Sequence, residues 1–186
     1  MAVNEVVVVD YGAGNTRSVR AALRRLGRES VVLSDPRAIE EAPLVILPGV
    51  GSARSAMAHL RATGADEALR ARFAAGRFTL GICLGLQLAL EFSEEDDGVE
   101  GLGLLSGRVE RLREGRIPRL GWSVVEPWGA AYYFAHSYAA VSDDVVATAD
   151  GVAAAIERDA FLGVQFHPEK SGPDGAAFLE RCLARA

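Results

Sequence analysis

The feature that most constrains the fold is the alternation of short apolar runs with helical patterns along the first half of the chain. Apolar residues recur at helical spacing over residues 16–26, Gly27 ends that helix, and Asn15 is predicted to cap its start. Strands and helices that alternate in this way form a parallel sheet with helices on both faces. The predicted strands are residues 5–9, 30–33, 44–47 and 78–82, and the predicted helices are residues 16–26, 52–61, 65–75 and 84–91.

The second half is richer in strands, with short connections that favour antiparallel pairing. A length of 186 residues suits one well-packed domain and is short for two, so we expect a single domain over residues 1–186. The predicted fold is α/β, with a mostly parallel twisted sheet flanked by helices and an additional antiparallel portion in the C-terminal half. The later strands are residues 104–112, 120–125, 132–138, 145–149, 152–157 and 161–167, followed by a helix over residues 175–184.

A cysteine stands at the junction of one of these strands with the next helix. Cys83 lies between Gly81 and Gly85, directly after the apolar run 78–82. Flanking glycines permit the sharp turn of a nucleophile elbow, and the following helix directs backbone N–H groups and its positive dipole end at the thiol. A lone buried cysteine is more often a small hydrophobic residue, so this motif needs a chemical partner.

That partner is supplied by His167 and Glu169, which follow another predicted strand. Residues i and i+2 of a strand face the same way, so we expect the carboxylate to orient the imidazole. A lone histidine is usually a packed or surface residue, but a thiol, a base and an orienting carboxylate complement one another chemically. The set predicts acyl transfer through a thioester, with Cys83, His167 and Glu169 as a catalytic triad.

Composition excludes several other classes of function. The net charge is −5, and we find no basic cluster for nucleic acid or an anionic membrane, no apolar run of transmembrane length and no signal peptide. The two cysteines, Cys83 and Cys182, do not make a disulfide framework, and a free thiolate fits a reducing cytoplasm. The acidic run 94–97 lacks metal-ligand spacing and is interpreted as a solvated loop, so no metal site is predicted.

Further motifs make the chain resemble a known family. The elbow and His-Pro-Glu are typical of class I, triad-type glutamine amidotransferases, and the whole chain is similar to the glutaminase subunits of imidazole glycerol phosphate synthase. The resemblance rests on Asp-Tyr-Gly-Ala-Gly-Asn at 10–15, Leu-Pro-Gly-Val-Gly at 47–51, the elbow at 81–85, Gly-Trp at 121–122, Tyr-Phe-Ala-His-Ser-Tyr at 133–138 and the segment 163–171.

The resemblance implies an activity and a partner. Such a chain hydrolyses L-glutamine to glutamate and ammonia without a cofactor. It passes the ammonia to a cyclase subunit, a (β/α)8 barrel, within a heterodimer. The cyclase then makes imidazole glycerol phosphate and aminoimidazole carboxamide ribotide in histidine biosynthesis.

It also implies roles for individual residues. The backbone N–H groups of Leu84 and of Val50 or Gly51 are expected to form the oxyanion hole. The residues expected to hold glutamine are Gly49, Gln87, Ser137 and Tyr138, and those expected to face the cyclase are Asn15, Trp122, Tyr133 and Lys170. Trp122 and Tyr133 are also compatible with a place in the core, since large aromatic residues are mostly buried. Tyr138 is also compatible with a packing role.

Several positions depart from the family pattern. Arg119 and Leu120 stand where His and Met are usual, Ser123 stands where Asn is usual, and Leu86 stands where Met is common. The stretch between Trp122 and Tyr132 is also shortened. We therefore treat the loop near Arg119 as a candidate for the partner face. Rival interpretations are a class I amidotransferase that feeds another synthase, a γ-glutamyl hydrolase that needs no partner, and a binding module without activity. The intact triad disfavours the last of these.

Overall fold

The computed structural model describes residues 6–12 and 15–185; the predicted strand residue 5 and the loop residues 13–14 fall outside them. The strands are β1 (Val6–Val9), β2 (Ser30–Leu33), β3 (Val45–Leu47), β4 (Thr79–Ile82), β5 (Phe92–Ser93), β6 (Val99–Glu100), β7 (Arg108–Arg111), β8 (Arg119–Val125), β9 (Ala130–His136), β10 (Tyr138–Val141), β11 (Val145–Ala149), β12 (Val152–Arg158) and β13 (Phe161–Val164). The helices are α1 (Thr16–Arg25), α2 (Pro36–Glu41), α3 (Ala53–Thr63), α4 (Ala65–Ala74), α5 (Leu84–Ala89) and α6 (Gly172–Leu183).

The main sheet has seven strands in the order β11-β12-β13-β4-β3-β1-β2. The pairs β1–β2, β1–β3, β3–β4 and β4–β13 are parallel, whereas β11–β12 and β12–β13 are antiparallel. The predicted fold class is therefore confirmed. The order places β4 between β3 and β13, so the loops after these three strands meet at one edge of the sheet, where open α/β sheets bind ligands.

Both faces of this sheet are buried, as expected for parallel strands covered by helices. Along β1, Val7 and Val9 pack into the cluster that contains Met57 and Leu60 of α3, whereas Val6 and Val8 pack on the opposite side. That second side is covered by α1 and α6. The continuous Val run is thus explained by alternate residues that enter two different cores.

Short polar side chains define where several helices begin. Asp35 accepts a hydrogen bond from the Ala38 amide at 2.8 Å and Ser52 accepts one from the Ser55 amide at 3.3 Å, which caps α2 and α3. Helix α2 was missed from the sequence because it spans only six residues. Gly64, with φ of 74°, ends α3 and lets the chain turn directly into α4.

Three strand predictions differ from the structure in their bounds. The prediction over residues 104–112 is wrong for its first part, because the Leu104 and Leu105 amides donate to the Ala89 carbonyl at the end of α5 instead of joining a sheet. The prediction over 132–138 covers two elements, since β9 ends at His136 and β10 begins at Tyr138. The strand predicted over 161–167 ends at Val164.

Two smaller sheets complete the structure. One has the order β10-β7-β5-β6, and the other is the antiparallel ribbon β8–β9, which lies against the edge of the active-site region. Among the described residues, the longest helix is α6, with 12 residues, and no helix is long and apolar enough to cross a membrane.

Candidate active site

The backbone turns sharply at Cys83, between β4 and α5. Cys83 has φ of 51° and ψ of −106°, and its amide donates to the Val164 carbonyl of β13 at 2.7 Å. A positive φ is rare and costly for a residue other than glycine, and such strain is concentrated at functional sites. The thiol is largely buried at the start of α5.

Two glycines make this elbow sterically possible. A Cβ atom on Gly49 would overlap the Ile82 carbonyl oxygen and the Leu84 amide nitrogen. A Cβ atom on Gly85 would overlap the Leu47 carbonyl oxygen. The glycine loop after β3 therefore packs directly on the elbow backbone, which only residues without a side chain allow.

His167 and Glu169 form a buried pair beside the thiol. His167 Nδ1 lies 2.9 Å from Glu169 Oε1, and both side chains are almost fully buried. The predicted pairing is present, but the strand argument for it is wrong. The strand ends at Val164, and Pro168–Lys170 forms a 3-10 turn that brings Glu169 back toward the imidazole.

The pKa of His167 is raised from 6.5 to about 9. Burial alone lowers this pKa, but the interactions of the imidazole with the Cys83 thiol and with the Glu169 carboxylate outweigh it. The site therefore favours an imidazolium next to sulfur. This is the electrostatic arrangement in which a cysteine loses its proton to a neighbouring histidine.

A buried amide network also contacts the thiol, and of its two glutamines only Gln87 was named from the sequence as a site residue. Gln165 is fully buried and its Nε2 lies 3.5 Å from Cys83 Sγ. Gln87 Nε2 donates to Gln165 Oε1 and to the Tyr138 carbonyl, both at 2.9 Å. The sequence signals for Gln165 are its place two residues before His167 and its place within the family-like segment 163–171.

Tyr11 fixes the loop of residues 48–51 through a hydrogen bond to its backbone. The Tyr11 hydroxyl donates to the Pro48 carbonyl at 2.6 Å and lies 3.5 Å from the Val50 carbonyl oxygen. Burial raises the pKa of Tyr11 well above its usual range, so the hydroxyl stays a neutral donor. The sequence segment around Tyr11 is thus linked to the loop predicted to carry the oxyanion donors.

These elements surround a cavity of about 300 Å³, at the small end of the range for small-molecule sites. Ten residues named from the sequence line it: Gly49, Val50, Gly51, Cys83, Leu84, Gln87, Ser137, Tyr138, His167 and Lys170. Glu95 and Lys170 are its acidic and basic lining residues, and the imidazoles of His136 and His167 line it as well. A small zwitterionic ligand would therefore meet one carboxylate and one ammonium group.

Glu95 belongs to the acidic run, whose interpretation as a merely solvated loop is wrong. Glu95 Oε2 accepts from the Ala53 amide at 3.0 Å, and Asp96 Oδ2 accepts from the Ser52 hydroxyl at 2.6 Å and from the Arg54 amide at 3.1 Å. The run therefore covers the amino end of α3, where carboxylates are favoured. Burial raises the pKa of Glu95 above its usual range.

His136 is a second buried imidazole at the cavity. Burial lowers its pKa from 6.5 to about 4, so the ring is neutral near pH 7. Its Nδ1 lies 2.8 Å from the Tyr138 carbonyl oxygen, while Nε2 has no partner among the described residues. The site thus contains two histidines whose pKa values are shifted in opposite directions.

The four residues predicted to face a partner do not share one environment. Trp122 is 57% exposed and packs edge-on against Tyr133, with ring centroids 6.1 Å apart. Lys170 is exposed, and its Nζ lies 6.0 Å from the centre of the Tyr133 ring. Asn15 differs, because its side-chain amide donates to Glu169 Oε1 at 3.1 Å. Because the Trp122 side chain is exposed, its placement in the core is excluded.

The backbone of Tyr133 connects this exposed cluster to the buried pair. The His167 amide donates to the Tyr133 carbonyl at 2.8 Å, and the Tyr133 amide donates to Ser171 Oγ at 3.0 Å. Ser171 in turn donates to the His167 carbonyl at 2.6 Å. A shift of the β8–β9 ribbon would therefore act on the main chain of His167.

Two of the departures from the family pattern, Arg119 and Ser123, contact the same carboxylate. Arg119 Nη2 lies 2.5 Å from Asp150 Oδ2, and the Ser123 hydroxyl donates to that oxygen at 2.7 Å. The Arg119 guanidinium also covers the Phe134 ring at 4.4 Å. Arg119 thus ties the ribbon to the β11–β12 turn within the chain, which does not support its assignment to a partner face.

Comparison with known proteins shows the family to which the chain belongs. Residues 7–186 match the family described as glutamine amidotransferase class-I. The imidazole glycerol phosphate synthase subunit HisH of Exiguobacterium sibiricum is 44% identical over 181 residues, 94% of this chain and 92% of that protein. The subunit of the same name from Methanothermobacter thermautotrophicus is 46% identical over 190 residues, 94% of this chain and 95% of that protein.

Solved structures share the fold at low sequence identity. A crystal structure described as a glutamine amidotransferase has a TM-score of 0.79 with 23% identity, and the match covers 96% of this chain and 97% of that one. This likeness supports the α/β architecture.

Proposed function

The chain belongs to the class I glutamine amidotransferase family, and on that basis we propose that it is the glutaminase subunit of an imidazole glycerol phosphate synthase. In this proposal it hydrolyses L-glutamine and delivers the ammonia to a cyclase subunit for histidine biosynthesis. The names of relatives that are 40–46% identical over nearly their full lengths support the pathway. The observation that carries the chemistry is a strained Cys83 beside the buried His167–Glu169 pair.

The reaction begins with transfer of the thiol proton from Cys83 to His167. The thiolate attacks the side-chain amide carbon of glutamine, and the carbonyl oxygen becomes an oxyanion. The His167 imidazolium then protonates the nitrogen, the C–N bond breaks and ammonia leaves, which yields a thioester on Cys83. Water, deprotonated by His167, attacks the thioester; glutamate leaves and the thiol is restored.

Glu169 keeps the proton of His167 Nδ1 directed at itself, so that Nε2 is the atom that exchanges protons with sulfur and nitrogen. The oxyanion is met by the Leu84 amide at the start of α5 and by an amide of Val50 or Gly51. The Gly49 backbone packs so closely on the elbow that any side chain at this position would overlap it. This close packing of the loop on the elbow supports the assignment. Donors fixed before the reaction stabilise developing charge most effectively.

Glutamine occupies the cavity of about 300 Å³ in this proposal, near Gly49, Ser137 and Tyr138. Because the Gln87 amide nitrogen is engaged by Tyr138 and Gln165, its carbonyl oxygen remains to accept from the substrate. Glu95 provides the carboxylate for the substrate ammonium group. The cavity thus matches the functional groups of a free amino acid.

The cyclase, a (β/α)8 barrel, docks on the outer face of the β8–β9 ribbon in this proposal. Leu120, Trp122 and Val124 alternate along β8 and are 58%, 57% and 49% exposed. Exposed apolar side chains grouped in this way mark interaction sites, and tryptophan is enriched at the centre of interfaces. Docking there would reach His167 through the backbone of Tyr133 and open a protected route for ammonia.

The test compares glutamine hydrolysis by the purified chain with and without a histidine-pathway cyclase and its ribonucleotide substrate. We expect weak activity alone and strong stimulation in the complex. Cys83→Ala should abolish hydrolysis but leave synthesis from added ammonium intact, because that step lies on the cyclase. Full activity without a partner would instead indicate a free-standing hydrolase, and wild-type hydrolysis by Cys83→Ala would exclude the nucleophile assignment. An electrophilic glutamine analogue should label Cys83 and spare the buried Cys182, which serves as the internal control.

A further inference from the structure

Asn15 occupies the N-cap position of α1 but its side chain does not cap the helix. It makes no hydrogen bond to the first turn, whereas Asp35 and Ser52 do so at the starts of α2 and α3. The Asn15 amide instead reaches across the fold to Glu169 Oε1, at 3.1 Å and 154 residues away in sequence. A residue that gives up a favourable local bond for a distant contact indicates a functional constraint.

The contact matters because little else holds the Glu169 carboxylate. Oε1 receives the Asn15 amide at 3.1 Å and His167 Nδ1 at 2.9 Å. Oε2 is buried, and none of the described residues donates to it. Beside His167, Asn15 is thus the one donor to this carboxylate among the described residues.

We propose that Asn15 is a positioning residue of the triad: its amide holds Glu169 so that Oε1 faces His167. This inference rests on the proposed function and replaces the prediction that Asn15 contacts the cyclase. The chemistry of an amide suits the task. It donates a hydrogen bond without a charge, so it orients the carboxylate while leaving the full negative charge to support the imidazolium.

The critical variant is Asn15→Ser. Serine is a good N-cap residue, so α1 is kept, but its side chain is too short to reach Glu169. We expect kcat for glutamine in the cyclase complex to fall about ten- to a hundredfold, as for other losses of a group that orients a catalytic residue. KM for glutamine should stay within about twofold, because Asn15 does not line the cavity.

The pH profile separates positioning from a general structural role. The pKa of His167 depends on its bond to Glu169, so a misplaced carboxylate should move the high-pH limb of kcat toward lower pH. Asn15→Asp has nearly the same shape but sets a second carboxylate against Glu169. Its activity should be lowest near neutral pH and recover at acid pH, where the introduced carboxyl is protonated and donates again.

Controls distinguish the possible failures. Both variants should bind the cyclase with wild-type affinity in calorimetry and support wild-type synthesis from added ammonium. Wild-type kcat and pH profile in Asn15→Ser would overturn the inference, and so would a loss of cyclase affinity with unchanged turnover per complex. A wild-type complex that does not hydrolyse glutamine would instead refute the proposed function itself.

Discussion

Replacement of Glu169 by Gln tests how much of the reactivity depends on the buried pair. The substitution keeps the size of the side chain and the capacity to hydrogen-bond but removes the negative charge 2.9 Å from His167 Nδ1. In the folded structure that negative charge stabilises the imidazolium of His167, which burial alone would destabilise. The main expected change is therefore weaker proton binding by His167, with the fold retained.

The magnitude follows from the pKa of His167. A rise from 6.5 to about 9 corresponds to roughly 3 kcal/mol of net stabilisation of the imidazolium, at about 1.4 kcal/mol per pKa unit. Cys83 and Glu169 provide this together, so loss of the Glu169 charge should remove about half of it, which is roughly a tenfold fall in kcat. His167→Asn removes the proton carrier itself and should cost about a hundred- to ten-thousandfold.

The assay is steady-state glutamine hydrolysis by the cyclase complex from pH 6 to pH 10. In Glu169→Gln the high-pH limb should move toward lower pH, because the imidazolium gives up its proton more readily. Synthesis from added ammonium serves as the control for an intact complex. The reasoning would be refuted by a Glu169→Gln enzyme slower than His167→Asn, or by one whose pH profile equals that of the wild type.

Three further predictions concern stability and association. Arg72 is 1% exposed and donates to the Ala42 and Phe78 carbonyls at 2.6 Å. Arg72→Met should therefore lower the free energy of unfolding by about 3–5 kcal/mol in denaturant titrations. The control, Arg77→Met at an exposed arginine, should lower it by less than about 1 kcal/mol. His136 has a folded pKa of about 4, below its ordinary 6.5, so its contribution to stability is complete above pH 6.5 and is lost as the pH falls toward 4; His136→Gln should flatten the pH dependence of unfolding in that window. Trp122→Ala should weaken cyclase binding about tenfold or more in calorimetry, whereas Phe92→Ala, at an exposed aromatic residue on another sheet, should not.

Each of these has an outcome that would contradict it. Equal unfolding midpoints for the two arginine variants would mean that the carbonyls around Arg72 find other donors. An unchanged acid slope in His136→Gln would assign that slope to other groups. Equal affinities of the Trp122 and Phe92 variants would move the docking surface away from the ribbon.

The sequence by itself determined the elements whose cause is local. The helix over residues 16–26, the strands around it and the elbow at Cys83 follow from apolar spacing and flanking glycines, and the observed bounds differ by one or two residues. The strand predicted over residues 152–157 is also present, as Val152–Arg158. These features depend on neighbours within about ten residues, which a sequence displays directly.

Only the tertiary structure decided what meets at the site. The hydrogen bond between His167 and Glu169 depends on a 3-10 turn, and the Asn15 side chain bonds to Glu169 instead of capping α1. The acidic run covers the amino end of α3. Gln165 meets Cys83 across 82 residues because β13 lies beside β4 in the sheet. The physical reason is that such contacts are set by strand order and by competition for buried polar partners, which local propensity does not encode.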